Sequence, residues 1–217
     1  SLKANKPMHC LVCSSQDITS FETLSDLKQH WYCNNCEVRF LDPTHYLSSD
    51  NEKERYEEHN NVIQDEGYRT FLSKVTNPLE KHLQKNDFGL DYGCGHGPAL
   101  ADILKKKGFK MDLYDPYFYP DKRIFKNKYE FITCTEAAEH FYNPLEEFNK
   151  MDEILNKNGI LAVMTSLFDN SINFENWYYR RDPTHVIFYS EKTFHVIAKQ
   201  RNWNCWMEDR NVIFFKK

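Results

Sequence analysis

The sequence predicts an α/β fold with a mostly parallel sheet and a C-terminal antiparallel hairpin, preceded by a small cysteine-rich unit. A short strand runs into a glycine-rich turn and a helix over residues 88–107. Two apolar runs, at 129–134 and 160–165, have the composition of buried strands. Two further strand-like runs, 203–207 and 211–215, end the chain and predict a hairpin. Strands that alternate with helical segments are typical of a parallel sheet.

The glycine-rich turn is the clearest candidate for a ligand site. Gly93, Gly95 and Gly97 stand at alternate positions, which lets main-chain N–H groups approach a ligand at a helix N-terminus. Asp91 precedes them, and the next predicted strand ends in Asp115. In nucleotide sites of βαβ type, an acidic residue about 20 positions on binds the ribose hydroxyls. The alternative is an ordinary strand-turn-helix unit with a surface acid.

The pattern Asp-x-Gly-x-Gly-x-Gly at 91–97 resembles the first motif of class I S-adenosylmethionine (SAM) dependent methyltransferases. The resemblance extends over about residues 60–217 and implies a Rossmann-like sheet that binds SAM. It implies that Asp91 lies near the methionyl amino group and that Asp115 binds the ribose. The residues expected to contact the cofactor are Asp91, Gly93, Cys94, Gly95, Asp115, Pro116 and Thr135.

The segment after Asp115 is shorter than this family's pattern. A complete domain has a further helix and strand there, and that strand usually ends in an acid that contacts the adenine. Such an acid is not expected in this chain. The adenine would instead rely on main chain and on aromatic side chains such as Tyr117 or Phe118.

Two histidine-containing segments are candidates for the acceptor side of the site. The run Thr-Glu-Ala-Ala-Glu-His-Phe at 135–141 is similar to the Glu-His segment of many small-molecule methyltransferases. Asp-Pro-Thr-His-Val, at 182–186, looks like a segment of methyltransferases that carry an N-terminal zinc ribbon. Histidine is the side chain best suited to take a proton near neutral pH. The predicted catalytic residues are His140, His185 and Glu136, although either histidine could be a buried structural residue. If neither histidine is the base, the site would work by placement alone or through Glu136, Glu139 or a tyrosine.

An aromatic and basic loop is predicted over residues 174–186. Long loops of this composition often contact a ligand. Tyr178, Arg180 and Arg181 are the predicted substrate-binding residues, and arginine suits a carboxylate or phosphate on the acceptor. In the alternative, the aromatic side chains pack the rim and one arginine pairs with Asp182.

Four cysteines predict a zinc ribbon in the N-terminal segment. Cys10 and Cys13 form one Cys-x-x-Cys pair, and Cys33 and Cys36 form a second one. This spacing is typical of a four-cysteine zinc site. Four thiolates leave no coordination position open, so the predicted zinc is structural. The predicted domains are the ribbon at 1–47, a helical connector or cofactor lid at 48–86 and the SAM-binding domain at 87–217.

Several local features are also predicted in the connector and the C-terminal half. Residues 51–58 form a polar and mostly solvated helix, and the triplet at 59–61 is either a loop or a lid. A helix that begins at Asn143 is expected to end at Asn158-Gly159, and Asp209-Arg210 is a weak turn signal in the final hairpin.

Composition favours a soluble cytoplasmic enzyme. The net charge of −4 argues against nucleic-acid binding, no apolar run has membrane-spanning length, and the N-terminus lacks a signal-peptide core. The leading hypothesis is a methyltransferase for a polar small molecule that could be anionic. The alternatives are an RNA or protein methyltransferase docked through the ribbon, and a non-catalytic SAM-binding module. The oligomeric state is not predicted.

Overall fold

A computed structural model describes residues 5–21, 25–58 and 63–217. These residues form two sheets with helices packed around the larger one. The strands are β1 (Ile18–Ser20), β2 (His30–Cys33), β3 (Arg39–Leu41), β4 (Phe88–Tyr92), β5 (Lys110–Tyr114), β6 (Tyr129–Thr135), β7 (Leu155–Met164), β8 (Ile187–Phe188), β9 (Asn204–Asp209) and β10 (Val212–Lys216). The helices are α1 (Ser49–Glu57), α2 (Glu66–Glu80), α3 (Ala99–Lys106), α4 (Pro144–Ile154), α5 (Tyr178–Arg181) and α6 (Glu191–Arg201). The polar triplet at 59–61 lies outside the described residues.

The larger sheet has the strand order β5-β4-β6-β7-β10-β9. The first four strands are parallel, and β10 is antiparallel to both β7 and β9. The predicted α/β class and the C-terminal hairpin are therefore confirmed. A Cβ on Gly89 of β4 would lie 2.1 Å from the Phe131 ring of β6, so glycine leaves the space that this ring fills. Apolar strands of this kind are buried on both faces, which explains their almost continuous hydrophobic sequences.

The shortened segment after Asp115 leaves β5 at an edge of the larger sheet. Between β5 and β6 the chain forms only a short 3-10 helix, Lys122–Lys126. Ile124 of this helix is buried against the core. The expectation that a helix and a strand are missing here agrees with the structure.

The smaller sheet has the order β1-β2-β3-β8, and its last strand comes from the C-terminal half of the chain. Phe40 of β3 pairs with Ile187 of β8, and both side chains are fully buried. The cysteine-rich unit and the large domain consequently share one hydrophobic core. The segment 174–186, predicted as a loop, includes the short helix α5 and leads directly into β8.

Two predicted boundaries are wrong. Helix α4 ends at Ile154, and β7 already begins at Leu155 because Leu155 pairs with Tyr129 of β6. Asn158 has a φ of +65° and lies with Gly159 in an irregular part of β7. In the final hairpin the residue with positive φ is Asn211, at +64°, so the turn lies one residue later than Asp209-Arg210. Asparagine tolerates the left-handed conformation that this turn needs.

None of the helices in the described part of the chain has both the length and the apolar composition that a membrane span requires.

Candidate functional site

A cavity of about 230 Å³ opens at the carboxyl ends of β4, β5 and β6. Ligands bind at this edge in open α/β sheets. Every predicted cofactor-binding residue and every predicted catalytic residue lines this cavity, whereas the three predicted substrate-binding residues do not. The lining residues are Glu52, Tyr56, Tyr68, Asp91, Gly93, Cys94, Gly95, His96, Gly97, Ala99, Leu100, Asp115, Pro116, Tyr117, Phe118, Thr135, Glu136, Ala137, Glu139, His140, Phe141 and His185.

The glycine-rich turn forms one wall. Gly93 and Gly95 have φ values of +78° and +68°, which side chains rarely allow. A Cβ on Gly93 would also lie 2.5 Å from the Cβ of Ala137. The N–H groups of Gly93 and Cys94 both donate to the carbonyl of Tyr114, at 2.8 and 3.0 Å. The turn is therefore fixed against the end of β5. Only glycine fits at position 93, where the chain passes closest to Ala137.

Asp91 lies at the base of this wall. Its side chain is buried, and Oδ1 accepts a hydrogen bond from Thr133 Oγ1 at 2.9 Å. Burial raises the pKa of Asp91 to about 7, and the hydrogen bond from Thr133 only partly offsets this effect. A cationic group of a ligand would favour the ionised form of this carboxylate.

Asp115 connects two loops of the cavity. Its Oδ2 accepts a hydrogen bond from Gly95 N at 3.0 Å, and its Oδ1 accepts from the main-chain N–H groups of Tyr117 and Phe118 at 2.9 and 3.1 Å. A carboxylate has about four lone-pair positions, so three amides leave capacity for a ligand hydroxyl. Asp115 thus organises the turn as well as being available to a ribose. Tyr117 and Phe118, expected near the adenine, also line the cavity.

His140 and His185 also line the cavity and lie side by side, with ring centroids 4.8 Å apart. His140 Nδ1 is 3.0 Å from the carbonyl of Thr184, and His185 Nδ1 is 2.6 Å from the carbonyl of Tyr179. Since a carbonyl can only accept, both Nδ1 atoms carry a proton and donate it. In the neutral rings the lone pair is then on Nε2. Burial lowers the pKa of His185, which favours the neutral form.

Two carboxyl groups accompany the histidines. Glu136 has a φ of +50°, an uncommon conformation for a residue with a side chain. Burial and the nearby charge of Glu139 raise the pKa of Glu136 to about 9. Glu139 is 0% exposed, its Oε2 accepts from Thr165 Oγ1 at 2.9 Å, and burial raises its pKa too. The sequence prediction omitted Glu139 from the catalytic set, although its spacing from Glu136 and its place beside His140 were visible in the sequence.

Helix α1 covers the histidine end of the cavity. Glu52 is only 6% exposed and accepts hydrogen bonds from the hydroxyls of Tyr56 and Tyr142. The ring of Tyr56 meets the ring of His140 edge to face at 5.1 Å. The helix is mostly exposed, as predicted, but the face with Glu52 and Tyr56 is turned toward the cavity. Hydropathy gave no signal for it, because the helix buries a carboxylate and a tyrosine instead of aliphatic side chains.

The predicted substrate-binding residues lie away from the cavity. Tyr178 is 73% exposed. Arg180 is buried, and its guanidinium contacts Asp26 Oδ2 at 2.7 Å and the carbonyls of Phe174 and Glu175 at 3.0 and 2.8 Å. Arg180 therefore ties the N-terminal unit to the segment before α5.

Arg181 follows Arg180 in α5, a helix of four residues; its side chain is exposed and does not line the cavity. The substrate-binding role of these three residues stays a prediction, since they do not line the described cavity. The segment that carries them continues into β8, which pairs with β3 of the smaller sheet.

The four N-terminal cysteines form a compact buried cluster. The Sγ atoms of Cys10 and Cys36 are 3.7 Å apart, and those of Cys13 and Cys33 are 3.6 Å apart. Two sulfurs on one tetrahedral zinc, with bonds of about 2.3 Å, would be about 3.8 Å apart. Main-chain N–H groups of Val12 and Cys36 point at two of the sulfurs. The donor set and spacing fit a closed zinc site.

Comparisons with known proteins agree with this geometry. A family model described as a methyltransferase domain matches residues 64–208, which is two thirds of the chain. No curated protein sequence is significantly similar to the chain.

Solved structures share the fold. One is the 1,6-didemethyltoxoflavin-N1-methyltransferase of Burkholderia thailandensis, solved with 1,6-didemethyltoxoflavin and S-adenosylhomocysteine. It is 12% identical, with 91% of this chain and 98% of that chain covered and a TM-score of 0.52. An O-methyltransferase family protein from the same organism is 9% identical, with coverages of 76% and 61% and a TM-score of 0.48. At this identity the likeness shows a common fold alone.

Proposed function

We propose that this chain, which belongs to the methyltransferase family whose model it matches, transfers a methyl group from SAM to a polar small molecule. The observation that carries the proposal is the composition of one cavity. The same cavity is lined by a glycine turn with Asp91 and Asp115 and by the paired histidines His140 and His185. A donor bound along the turn would present its methyl group toward the histidines.

The cofactor end provides contacts that suit SAM. Ionised Asp91 would pair with the methionyl ammonium, and Asp115 would accept hydrogen bonds from the ribose hydroxyls. Gly93 and Gly95 leave space for the ligand beside the main chain, and Cys94, Pro116 and Thr135 complete this part of the wall. Methyl transfer is an in-line displacement at carbon, so much of the catalysis is placement of the two reactants.

The acceptor end suits a hydroxyl or amine more than an anion. The neutral imidazoles of His140 and His185 would offer their Nε2 lone pairs to the acceptor. The case for an anionic acceptor depended on Arg180 and Arg181, which the cavity does not include. Among the described lining residues none is lysine or arginine, whereas several are acidic. We therefore propose an acceptor that is neutral or cationic apart from the group that is methylated.

We also propose that Cys10, Cys13, Cys33 and Cys36 hold one structural zinc. Their spacing and burial support this assignment. The division into a ribbon at 1–47, a connector and lid at 48–86 and a SAM-binding domain at 87–217 remains a proposal. Pairing of β3 with β8 argues for a ribbon that is part of the catalytic unit.

A ribbon that docks RNA or protein has less support. Its strand β3 is covered by β8, and Cys13 and Cys36 accept hydrogen bonds through their carbonyls from Gln200 and Thr193 of α6. Much of the ribbon surface thus faces the large domain.

The test uses SAM with a labelled methyl group. Purified protein is incubated with a cell extract divided into a small-molecule filtrate, RNA and protein, and the label is traced. We expect label in the small-molecule fraction. Label confined to RNA or protein would overturn the small-molecule assignment. Binding of S-adenosylhomocysteine without transfer to any fraction would instead support the non-catalytic alternative.

Variants then test the acceptor end once a labelled product is found. His140→Ala and His185→Ala should each lower turnover about 100-fold or more while S-adenosylhomocysteine still binds. The control is His195→Ala, which removes an exposed histidine of α6. Wild-type turnover in both cavity variants would refute a role for the two imidazoles.

A further inference from the structure

Three potential metal ligands converge at the acceptor end of the cavity. One ligand atom from each of Glu139, His140 and His185 lies within 4.8 Å of the others. We propose that these residues bind a divalent transition-metal ion there. Two imidazoles and one carboxylate are a common ligand set for such ions, because they leave coordination positions open. This site is separate from the four-cysteine cluster.

The histidines are held as metal ligands usually are. Each donates its Nδ1 proton to a main-chain carbonyl, of Thr184 in one case and of Tyr179 in the other. In metal sites this second hydrogen bond fixes the tautomer and directs the Nε2 lone pair at the ion. The two segments are also joined, since Val186 N donates to the carbonyl of Glu139 at 2.8 Å. The ligands therefore come from a braced part of the fold.

The carboxylate of Glu139 supplies a second, independent observation. Its side chain is completely buried, and Oε2 is bound by Thr165. Oε1 accepts no hydrogen bond from an N–H or hydroxyl group of the described residues. The carboxyl group of Glu136 also approaches Glu139. Buried carboxylate oxygens are normally hydrogen-bonded or bound to a cation. His140 Nε2 is 3.8 Å from Oε1, too far for a hydrogen bond. An ion between these atoms would satisfy Oε1.

The distances between the three ligand atoms suit a metal ion after a small inward movement of the side chains. Ligand atoms about 2.1 Å from a tetrahedral ion are about 3.4 Å apart. From separations of up to 4.8 Å, each side chain would move inward by about 1 Å. The arrangement that competes with metal binding is an ion pair between protonated His185 and Asp182. The distance from His185 Nε2 to Asp182 Oδ2 is 3.9 Å, which is beyond hydrogen-bond range. Glu136 also lines the cavity and could provide a fourth ligand.

The site narrows the acceptor class, and this step depends on the proposed methyl transfer. Open positions on the ion suit an acceptor whose hydroxyl stands next to a second oxygen donor, as in a vicinal diol or a catechol. The bound hydroxyl loses its proton to solvent more readily, as metal-bound water does. Its oxygen pair forms the bond to the methyl carbon, and the C–S pair stays on sulfur as S-adenosylhomocysteine leaves. The ion changes neither charge nor oxidation state.

Mn²⁺ is the probe that separates this site from the ribbon. Mn²⁺ binds weakly compared with Zn²⁺ and prefers oxygen and imidazole to thiolate, so zinc in the ribbon should not exchange. Zinc-loaded protein is freed of weakly bound metal by dialysis against a chelator and then titrated with Mn²⁺. The paramagnetic resonance signal of free Mn²⁺ reports the unbound ion. We expect one Mn²⁺ per chain in addition to the ribbon zinc, without any need for SAM or an acceptor.

Variants assign the ligands. His185→Ala and Glu139→Gln should weaken Mn²⁺ binding at least about tenfold. His195→Ala is the matched control, because His195 and Glu191 form an exposed histidine–carboxylate pair on α6, and it should bind as wild type does. Circular dichroism and S-adenosylhomocysteine binding report whether each variant is folded.

Absence of stoichiometric Mn²⁺ binding in the wild type, or equal binding in folded Glu139→Gln and His185→Ala, would overturn the metal site. Methyl transfer that persists after such a failure would leave the proposed function intact, with the histidines acting directly. Mn²⁺ bound without any methyl transfer would overturn the proposed function and leave the metal site standing.

Discussion

Replacement of Asp115 by alanine is the sharpest test of the cofactor site. The variant would lose the hydrogen bonds that we propose between this carboxylate and the ribose, and the main-chain N–H groups of Gly95, Tyr117 and Phe118 would lose their acceptor. Hydrogen bonds to a charged group contribute about 1.5–3 kcal/mol each. Loss of the ribose contact alone should therefore weaken S-adenosylhomocysteine binding about 10- to 150-fold. Loosening of the glycine turn adds to this effect.

Asp115→Asn separates the two contributions. The asparagine Oδ1 can still accept from Tyr117 N and Phe118 N, so the loop after β5 is retained. Its Nδ2, however, faces the N–H of Gly95, where two donors meet. We expect an affinity between those of wild type and Asp115→Ala.

Isothermal titration calorimetry with S-adenosylhomocysteine measures these affinities. The matched control is Asp121→Ala, since Asp121 also accepts a hydrogen bond from a main-chain N–H, that of Arg123, but is exposed and does not line the cavity. Unchanged affinity in a folded Asp115→Ala variant would refute the assignment of this carboxylate to the cofactor.

Three further predictions follow from the same geometry. Removal of zinc with a strong chelator should disorder the ribbon and lower turnover, because β3 pairs with β8, which follows His185 in the chain. Elemental analysis before the treatment should find about one zinc per chain. A metal-free protein with full activity would contradict the structural role of zinc. Burial gives Asp91 a pKa of about 7, raised from 3.8. Protonated Asp91 therefore contributes stability to the free protein below pH 4, and this contribution is lost as the pH rises to about 7. The ionised form of Asp91, in contrast, is the form that binds an ammonium group. S-adenosylhomocysteine should accordingly bind about tenfold more tightly at pH 8 than at pH 6, and Asp91→Asn should abolish this difference in calorimetry. Arg180→Ala should lower the free energy of unfolding by about 1–3 kcal/mol in denaturant titrations, and the loss is moderate because Asp26 is partly exposed. The affinity for S-adenosylhomocysteine should stay unchanged. A large loss of affinity would show that Arg180 does reach the ligand.

Local sequence determined the cofactor half of the site. Gly93 and Gly95 adopt backbone angles that other residues avoid, and Asp91 and Asp115 end adjacent parallel strands. Such constraints act within a few residues, so they appear as a short motif. The cysteine spacing is equally local, and the four Sγ atoms lie within 4.8 Å of one another. The sheet class could be predicted for the same reason, because strand and helix periodicities are local as well.

The acceptor half was decided by tertiary structure. Glu52 is separated from Tyr142 by 90 residues, and Arg180 from Asp26 by 154, so neither contact is expressed in any sequence pattern. The predicted substrate arginines do not line the cavity, and His185 lies beside His140 although 45 residues separate them in the chain. A buried polar contact depends on partners that are distant in the chain and on their loss of water. The sequence alone therefore predicted which residue types were available, and only packing decided which of them face the cavity.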